Sequence, residues 1–209
     1  MKKLLCVSFL TMFFLSACKK CPDPQPEPPP SPGSTRPYNY PLTIGSYWIY
    51  ERFNLDTNGV EAVVSVDSSY ISGDTVIGGN TYSVFVGDII GPTGFYFRRD
   101  SLGYLVDPNG VIRGSNTNFT DTLWAGSTPG YADFYYKMIS GTSLFVPAGT
   151  FTAFDYLGTV NVLFSGYMWD NPRYLHSYYA DSVGLIRETS FFILSPNYIG
   201  RKLVRYHIQ

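Results

Sequence analysis

The sequence predicts an all-β domain made of a single antiparallel curled sheet or half-open barrel, with a β-sandwich as the alternative. Eleven short segments are rich in β-branched and aromatic residues and are bounded by Gly, Pro, Asn and Asp. No stretch beyond residue 18 sustains the 3.6-residue hydrophobic period of an amphipathic helix. Roughly ten strands in one domain suit either architecture, and we favour the curled sheet.

The strands and turns follow from local composition. Gly-Gly at 77–81 and Asn-Gly at 107–111 predict hairpin turns, because these pairs tolerate positive φ. Segment 54–61 faintly resembles a calcium loop, but Ser65 stands where a bidentate glutamate belongs, so we predict another hairpin there. The predicted strands are residues 46–53, 61–71, 81–88, 94–100, 103–107, 133–139, 144–148, 151–164, 173–180, 183–193 and 201–208.

The amino terminus predicts export. Lys2 and Lys3 precede an apolar run at residues 4–15. As a helix, this run would span roughly 18 Å, well short of a ~30 Å hydrocarbon core. A basic start, a short apolar run and then small residues are the plan of a secretory signal peptide, here residues 1–17.

The residues that follow this apolar run predict a lipid anchor. Leu15-Ser16-Ala17-Cys18 resembles the lipobox of bacterial lipoproteins. The resemblance implies a lipid on the Cys18 sulfur, cleavage before Cys18, and acylation, for example with palmitate, of the new amino terminus. Several acyl chains at about 0.8 kcal/mol per buried CH₂ hold a protein on a membrane permanently. We therefore expect an outer-membrane lipoprotein, on the periplasmic face or the cell surface.

A lipid on Cys18 would prevent Cys18 and Cys21 from forming a disulfide or binding a metal together. Cys18 and Cys21 have the C-x-x-C spacing of a redox dithiol or half of a zinc site. A thioether sulfur can do neither, and Cys6 leaves with the signal peptide. Cys21 is the one thiol expected in the mature chain, either free or paired between molecules.

A proline-rich tether separates the anchor from the domain. Residues 18–37 contain many prolines and almost no large apolar side chains. Such a segment favours extended polyproline II, at about 3.1 Å per residue, and reaches up to roughly 60 Å. Residues 38–209 form the predicted all-β domain, a size sufficient for one core.

Three motifs of this domain occur together in a known group. They are Ile44–Tyr50 (G-x-x-W-x-Y), Val146–Phe154 (V-P-A-G-x-F) and Tyr178–Glu188 (Y-A-x-x-V-G-L-[IV]-[KR]). In this order they resemble an uncharacterised family of secreted β-rich lipoproteins common in Bacteroidota. The resemblance implies an antiparallel meander akin to the half-open barrels of periplasmic lipoprotein carriers, and it implies no established activity.

The charge balance argues against nucleic acid as a partner. Residues 38–209 contain ten Lys and Arg against fourteen Asp and Glu, whereas nucleic-acid binding needs basic stripes. The basic residues near the carboxyl terminus are spread along predicted strands, and we expect them to lie on a solvated strand face. They are Arg187, Arg201, Lys202 and Arg205.

Catalytic and metal signals are weak, so we expect no enzyme, no metal and no cofactor. His176 and His207 lie inside strand patterns, far in sequence from any cysteine, and we interpret both as structural. The sequence has no G-x-S-x-G elbow and no phosphate-binding glycine loop that opens a helix. A glycan hydrolase with paired carboxylates ranks third among the functional hypotheses.

One loop stands out as a binding candidate. In segment 165–179, Tyr167 and Trp169 precede Asp170-Asn171-Pro172, a turn. An aromatic side chain at a loop tip beside Asp and Asn suits stacking on a sugar ring or insertion into a partner's pocket. The alternative is that Trp169 folds back over the mouth of the barrel.

Four sites resemble the O-glycosylation sequon of exported Bacteroidota proteins, Asp-Ser/Thr followed by an aliphatic residue. Chance composition would give about one such site. Asp-Ser and Asp-Thr also form turns, so modification and turn formation both stay open. The four hydroxyl residues are Thr75, Ser101, Thr122 and Ser182.

Taken together, these features predict a lipid-anchored envelope protein whose β domain binds a ligand or partner, such as a glycan or another envelope protein, in an interior that we expect to be apolar. The alternative is a structural or assembly subunit of an outer-membrane complex. An internal apolar cavity favours the first, and an exposed apolar edge favours the second.

Overall fold

Residues 39–87 and 94–209 are described by a computed structural model. They contain thirteen β-strands, and no helix in these two ranges is long and apolar enough to cross a membrane. The strands are β1 (Tyr47–Leu55), β2 (Glu61–Ile77), β3 (Asn80–Gly87), β4 (Gly94–Ser101), β5 (Tyr104–Val106), β6 (Ile112–Ser115), β7 (Trp124–Thr128), β8 (Ala132–Val146), β9 (Gly149–Val162), β10 (Arg173–Leu175), β11 (Ser177–Ala180), β12 (Gly184–Phe191) and β13 (Tyr198–His207).

All strands belong to one antiparallel sheet in the order β6-β5-β4-β3-β2-β1-β13-β12-β11-β9-β8-β7, with β10 paired to β9. Most neighbours are consecutive in sequence, as in a meander joined by hairpins. There are two exceptions: β11 pairs with β9, and at the centre β1 pairs with both β2 and the last strand, β13. The last strand, β13, therefore lies in the middle of the sheet, beside the first strand of the domain.

The sheet curls until its first edge meets strands near its other edge. The Tyr156 hydroxyl on β9 donates to the Ile112 carbonyl on β6 at 2.5 Å, and the Tyr179 hydroxyl on β11 donates to the Arg113 carbonyl at 3.3 Å. No backbone ladder joins β6 to β7 within the described strands. These side-chain bonds cross a seam that stays unsealed, which confirms the curled sheet and excludes the sandwich.

The main core lies on the inner face, defined here as the face that carries Trp48 and Tyr50. The Trp48 indole Nε1 donates to the Val183 carbonyl at 2.6 Å and stacks on Phe85, with ring centroids 5.8 Å apart. Buried aliphatic residues surround these rings, as the two-residue alternation of strands requires. They are Ile71, Val146, Ala153, Ile186 and Leu203.

The hairpin predicted at 54–61 is confirmed, and two further turns depend on glycine. Asp56 Oδ1 accepts the backbone N–H groups of Asn58 and Val60 at 2.9 and 2.8 Å, which makes 54–61 a hairpin. Val146 ends β8 and Gly149 begins β9 across a two-residue turn. Gly184 has φ +89°, a left-handed conformation that favours glycine, and this allows the turn from β11 into β12.

Several strand predictions were incomplete, among them the one for β2, which continues to Ile77 and does not end at residue 71. The short strands β6 and β7 were not predicted, because Gly and Ser give their sequences, IRGS and WAGST, weak β propensity. Strand β8 is continuous where we predicted two strands; the polar SGTS run inside it coincides with a register shift between Ile139 and Thr142. The predicted strand 173–180 is instead split at His176 into β10 and β11.

Candidate functional site

Two cavities open on the inner face of the curled sheet. Arg98, Tyr179 and Glu188 line both of them. The first has a volume of about 100 Å³, and its walls are mainly aromatic: Trp48, Tyr50, Phe85, Tyr96 and Tyr179. The second has a volume of about 330 Å³, and its other walls include Arg113, Tyr136, Tyr156, Leu175 and Ser177.

A buried ion pair forms one wall of the first cavity. Arg201 on β13 and Glu188 on β12 lie opposite each other in the sheet register, with 2.5 Å between Arg201 Nε and Glu188 Oε1. The Arg201 guanidinium carbon lies 4.5 Å from the centre of the Tyr50 ring. Burial alone would lower the pKa of Arg201, but Glu188 outweighs it and raises that pKa. Arg201 therefore carries its positive charge beside this carboxyl group.

Phenol groups add neutral polar atoms to the wall of the same cavity. Tyr96 packs on Phe85 with centroids 4.8 Å apart, and its hydroxyl lies 3.0 Å from Ser69 Oγ. Burial raises the pKa of Tyr96, and burial raises the pKa of Tyr179 to about 12. Both phenols stay protonated at neutral pH, so they donate hydrogen bonds without adding charge.

Arg98 is a cation at the boundary of the two cavities. It lies on β4 beside Ser83 of β3, two residues after Tyr96 and on the same face. Its Nη1 donates to the Phe97 carbonyl at 2.8 Å, and its guanidinium carbon lies 5.0 Å from the centre of the Tyr96 ring. Burial lowers the pKa of Arg98. No carboxylate in residues 39–87 or 94–209 lies within ion-pair distance of it.

Arg113 lines the second cavity but is already paired. Its Nε and Nη2 donate to Asp107 Oδ2 at 3.1 and 2.9 Å. Asp107 Oδ1 accepts the backbone N–H groups of Asn109 and Val111 and so shapes the turn between β5 and β6. This turn, predicted from Asn-Gly, thus fixes a charged group at the rim of the second cavity.

The charges of the two cavities do not cancel. Arg201 is paired with Glu188 and Arg113 with Asp107, which leaves Arg98 as the excess positive charge. The interior is less apolar than the sequence predicted, because arginines and phenols alternate with the hydrophobic side chains. Chemically, such a space can hold a small molecule by ring contacts, phenol oxygens and one cation.

The prediction of a solvated basic face was wrong for Arg201, which is only 1% exposed. Strand alternation places Arg201 on the same face as the buried Leu203, and this signal was present in the sequence. Arg187 and Lys202 lie on the other face, where both donate to the Glu61 carboxylate, at 2.5 and 3.0 Å. Arg205 is exposed.

The loop predicted to bind through Tyr167 and Trp169 lies outside both cavities. Trp169 is 36% exposed, whereas Tyr167 packs against Phe164 at 5.5 Å and joins a separate small core around Val160 and Val162. Asn171 holds the loop by a reciprocal pair of 2.9 Å bonds with the backbone of Val162. Trp169 therefore remains a candidate contact, and Tyr167 is chiefly a packing residue.

The four candidate glycosylation sites differ in exposure. Thr122 and Ser182 are exposed in turns or loops, whereas Thr75 on β2 and Ser101 at the end of β4 are half-buried. Ser182 Oγ lies 3.2 Å from Asp181 Oδ1, which also accepts the Asn39 backbone N–H at 2.7 Å. The aspartate thus has a local turn-forming role at that site.

The anchor residues lie outside the described part of the chain. Cys18, Cys21 and the tether at 18–37 fall before residue 39, as does the signal peptide. The lipobox prediction therefore rests on sequence alone.

The histidines take part in packing and hydrogen bonding. His176 Nδ1 lies 2.7 Å from Asp155 Oδ2, and its ring stacks on Tyr178 with centroids 5.4 Å apart. His207 stacks on Tyr47 at the end of the sheet. In the two described ranges, no group of three His, Cys, Asp or Glu side chains is placed to hold a metal ion.

No family model and no curated protein matches the chain. Two solved structures resemble it. One is a protein of Bacteroides fragilis described as exported and as having a YmcC-like fold, with 13% identity over 81% of this chain and 99% of that chain and a TM-score of 0.46. The other is a protein of Parabacteroides distasonis described as a lipoprotein, with 15% identity over 81% of this chain and 98% of that chain and a TM-score of 0.44. Neither likeness is strong enough to transfer a role.

Proposed function

We propose that this protein is a lipid-anchored envelope protein that binds a small ligand inside its curled sheet, without chemical turnover. The observation that carries the proposal is the pair of interior cavities that share Arg98, Tyr179 and Glu188. A fold that only had to be stable would gain by filling this space with aliphatic side chains, since interiors pack closely. Charged and phenolic groups on a cavity wall are typical of ligand sites.

The anchor part of the proposal is supported by the lipobox at residues 15–18. Its test is the cellular fraction and the intact mass of the native protein. We expect the wild-type protein in the outer membrane, with its amino terminus at Cys18 and a mass that includes acyl chains. The Cys18→Ala variant should carry no acyl chains. A wild-type protein that is unacylated, or that is cut at another residue, would contradict the anchor.

The binding part is tested by what co-purifies from the native membrane. Protein extracted in mild detergent is denatured, and the released small molecules are identified by mass spectrometry. We expect one compound class with the wild type and much less of it with Ser177→Phe, because Phe would narrow the second cavity. Ser68→Phe on the exposed side of β2 is the matched control. If both variants retain the compound equally, it binds elsewhere than in this cavity.

An assembly role is the second candidate, and a specific surface favours it. Strand β2 exposes Val63, Val64 and Val66, each more than half accessible to solvent. Adjacent exposed valines on a strand are typical of protein contacts. Under this alternative, a Val64→Lys/Val66→Lys variant would lose an envelope protein that co-purifies with the wild type. If both proteins retrieve the same partners, β2 is not the docking surface.

Two secondary features belong to the same proposal. Trp169 could add a contact to a glycan or partner from its exposed loop, and Thr75, Ser101, Thr122 and Ser182 could carry O-glycans. An intact mass above that of the lipidated polypeptide, lowered by Thr122→Ala, would support glycosylation. A mass equal to the lipidated polypeptide alone would exclude it.

A further inference from the structure

The geometry points to a ligand with a carboxylate on an apolar, ring-bearing body, held with its carboxylate against Arg98. This inference rests on the proposed ligand-binding function and specifies the ligand's chemical class. It assigns the recognition of charge to Arg98 and the recognition of the body to the aromatic walls of the two cavities.

The charge of the ligand follows from the pairing of the arginines. Glu188 neutralises Arg201 and Asp107 neutralises Arg113, at 2.5 and 2.9 Å. Arg98 keeps its charge without such a partner in the described ranges, although it lines both cavities. A cation that is partly removed from water is stabilised by one anionic group, and a single negative charge would balance the site.

The type of anion follows from the donors that remain. An arginine has five N–H donors in a planar fork, and in Arg98 one interaction, to the Phe97 carbonyl, is made within the protein. The fork matches the two oxygens of a carboxylate. Arg98 supplies one positive charge that the described side chains do not balance, so a monoanion neutralises the site, whereas a doubly charged phosphate would leave one negative charge in excess.

The body of the ligand follows from the walls. The first cavity is bounded by the stacked rings of Phe85 and Tyr96, and the second by the stacked rings of Tyr136 and Tyr156, whose centroids are 5.0 Å apart. Such rings make offset and edge contacts with another ring. The second cavity, about 330 Å³, lies within the usual range for a small-ligand site, roughly 300–1,000 Å³.

The test compares two probes that differ in charge, 4-phenylbutyrate and 4-phenylbutanol, by isothermal titration calorimetry on the purified protein. We expect the wild type to bind the carboxylate at least about 10-fold more tightly than the alcohol, since hydrogen bonds to charged groups contribute more than neutral ones. Arg98→Met should remove this preference, because it weakens binding of the carboxylate much more than binding of the alcohol. Arg99→Met, the next residue on the opposite face of β4, should keep the preference.

Each outcome decides the inference. Equal binding of both probes by the wild type overturns the carboxylate assignment while leaving ligand binding intact. If neither probe binds the wild type, the assigned ligand class is wrong. The proposed ligand-binding function is then tested separately by the extraction of small molecules from native membranes. The wild-type comparison does not depend on a variant that folds. An Arg98→Met protein that folds and keeps the preference would show that Arg98 is not the anion-binding residue.

Discussion

Arg201 and Glu188 form an ion pair across neighbouring strands β13 and β12, with 2.5 Å between Nε and Oε1. Arg201 is almost fully buried, and its guanidinium packs over the Tyr50 ring. Glu188 also lines both cavities, so the ion pair that links β12 to β13 also forms part of the wall of the candidate site. A single interaction thus has a structural and an electrostatic role.

Removing one partner of this pair should destabilise the fold strongly. Arg201→Met leaves Glu188 as a charge without its partner in a poorly solvated place, and such losses cost about 3–5 kcal/mol. The free energy of unfolding, measured with urea, should fall by about this amount.

Two variants control this result. Arg201→Met combined with Glu188→Leu should recover part of the lost stability, because no unpaired charge remains. Arg205→Met on the same strand should change the free energy of unfolding by less than about 0.5 kcal/mol, since Arg205 is exposed. If Arg201→Met and Arg205→Met have equal effects, the ion pair does not stabilise the fold.

The buried phenols should make the protein unstable in strong alkali. Burial raises the pKa of Tyr179 from its ordinary value of about 10 to about 12, and burial also raises the pKa of Tyr50. A raised pKa means that the folded state binds the proton more tightly than the unfolded state. The stabilisation is therefore complete below about pH 10 and is lost as the pH rises through about 12.

Absorbance at 295 nm, which reports tyrosinate, measures this effect beside circular dichroism. The phenols of Tyr50 and Tyr179 should ionise only as the sheet unfolds. Tyr179→Phe should make the loss of stability between pH 10 and 12 shallower. Ionisation of every tyrosine near pH 10 with the sheet intact would contradict the burial of these phenols.

Trp48 should stabilise the core through both its ring and its N–H group. Trp48→Phe keeps most of the apolar surface but leaves the Val183 carbonyl without its 2.6 Å bond, at a cost of about 1–3 kcal/mol. Trp48→Ala also opens a cavity and should cost about 3–5 kcal/mol. Thermal or urea unfolding distinguishes the two variants. Equal stability of wild type and Trp48→Phe would mean that the hydrogen bond contributes nothing.

Trp169 and Asn171 should separate binding from folding in one loop. Trp169→Ala should leave the free energy of unfolding within about 0.5 kcal/mol and weaken any contact that the exposed ring makes. Asn171→Ala should cost about 1–3 kcal/mol, because it removes both bonds to Val162. If Trp169→Ala unfolds the domain instead, the ring is a structural lid and not a binding contact.

Much of the fold was predictable because it depends on local patterns. Alternation and turn residues locate the long strands, and Asp56 lies in the hairpin at 54–61 that composition predicted. The pairing of β1 with β13 was harder to predict, because these strands are about 150 residues apart in sequence. Nothing local to either strand specifies this partner.

The candidate site was missed for a related reason. Arg98 on β4 is about 80 residues before Tyr179 and Glu188, which lie on the adjacent strands β11 and β12. Tyr179 and Glu188 fall within the motif at 178–188, but that motif carries no known activity. Each alone resembles an ordinary strand residue, and only the curl of the sheet brings them to the same cavities. Tyr167 and Trp169 were predicted as binding residues because a turn follows them, but they lie outside these cavities.

Native mass spectrometry of the protein from its own membrane tests whether the interior of the curled sheet holds a small ligand. The protein is measured first folded and then denatured, with wild type and Ser177→Phe side by side. We predict that folded wild type is heavier than its denatured chain by one small-molecule mass, and that Ser177→Phe has lost this difference. Equal folded and denatured masses for the wild type would contradict the claim.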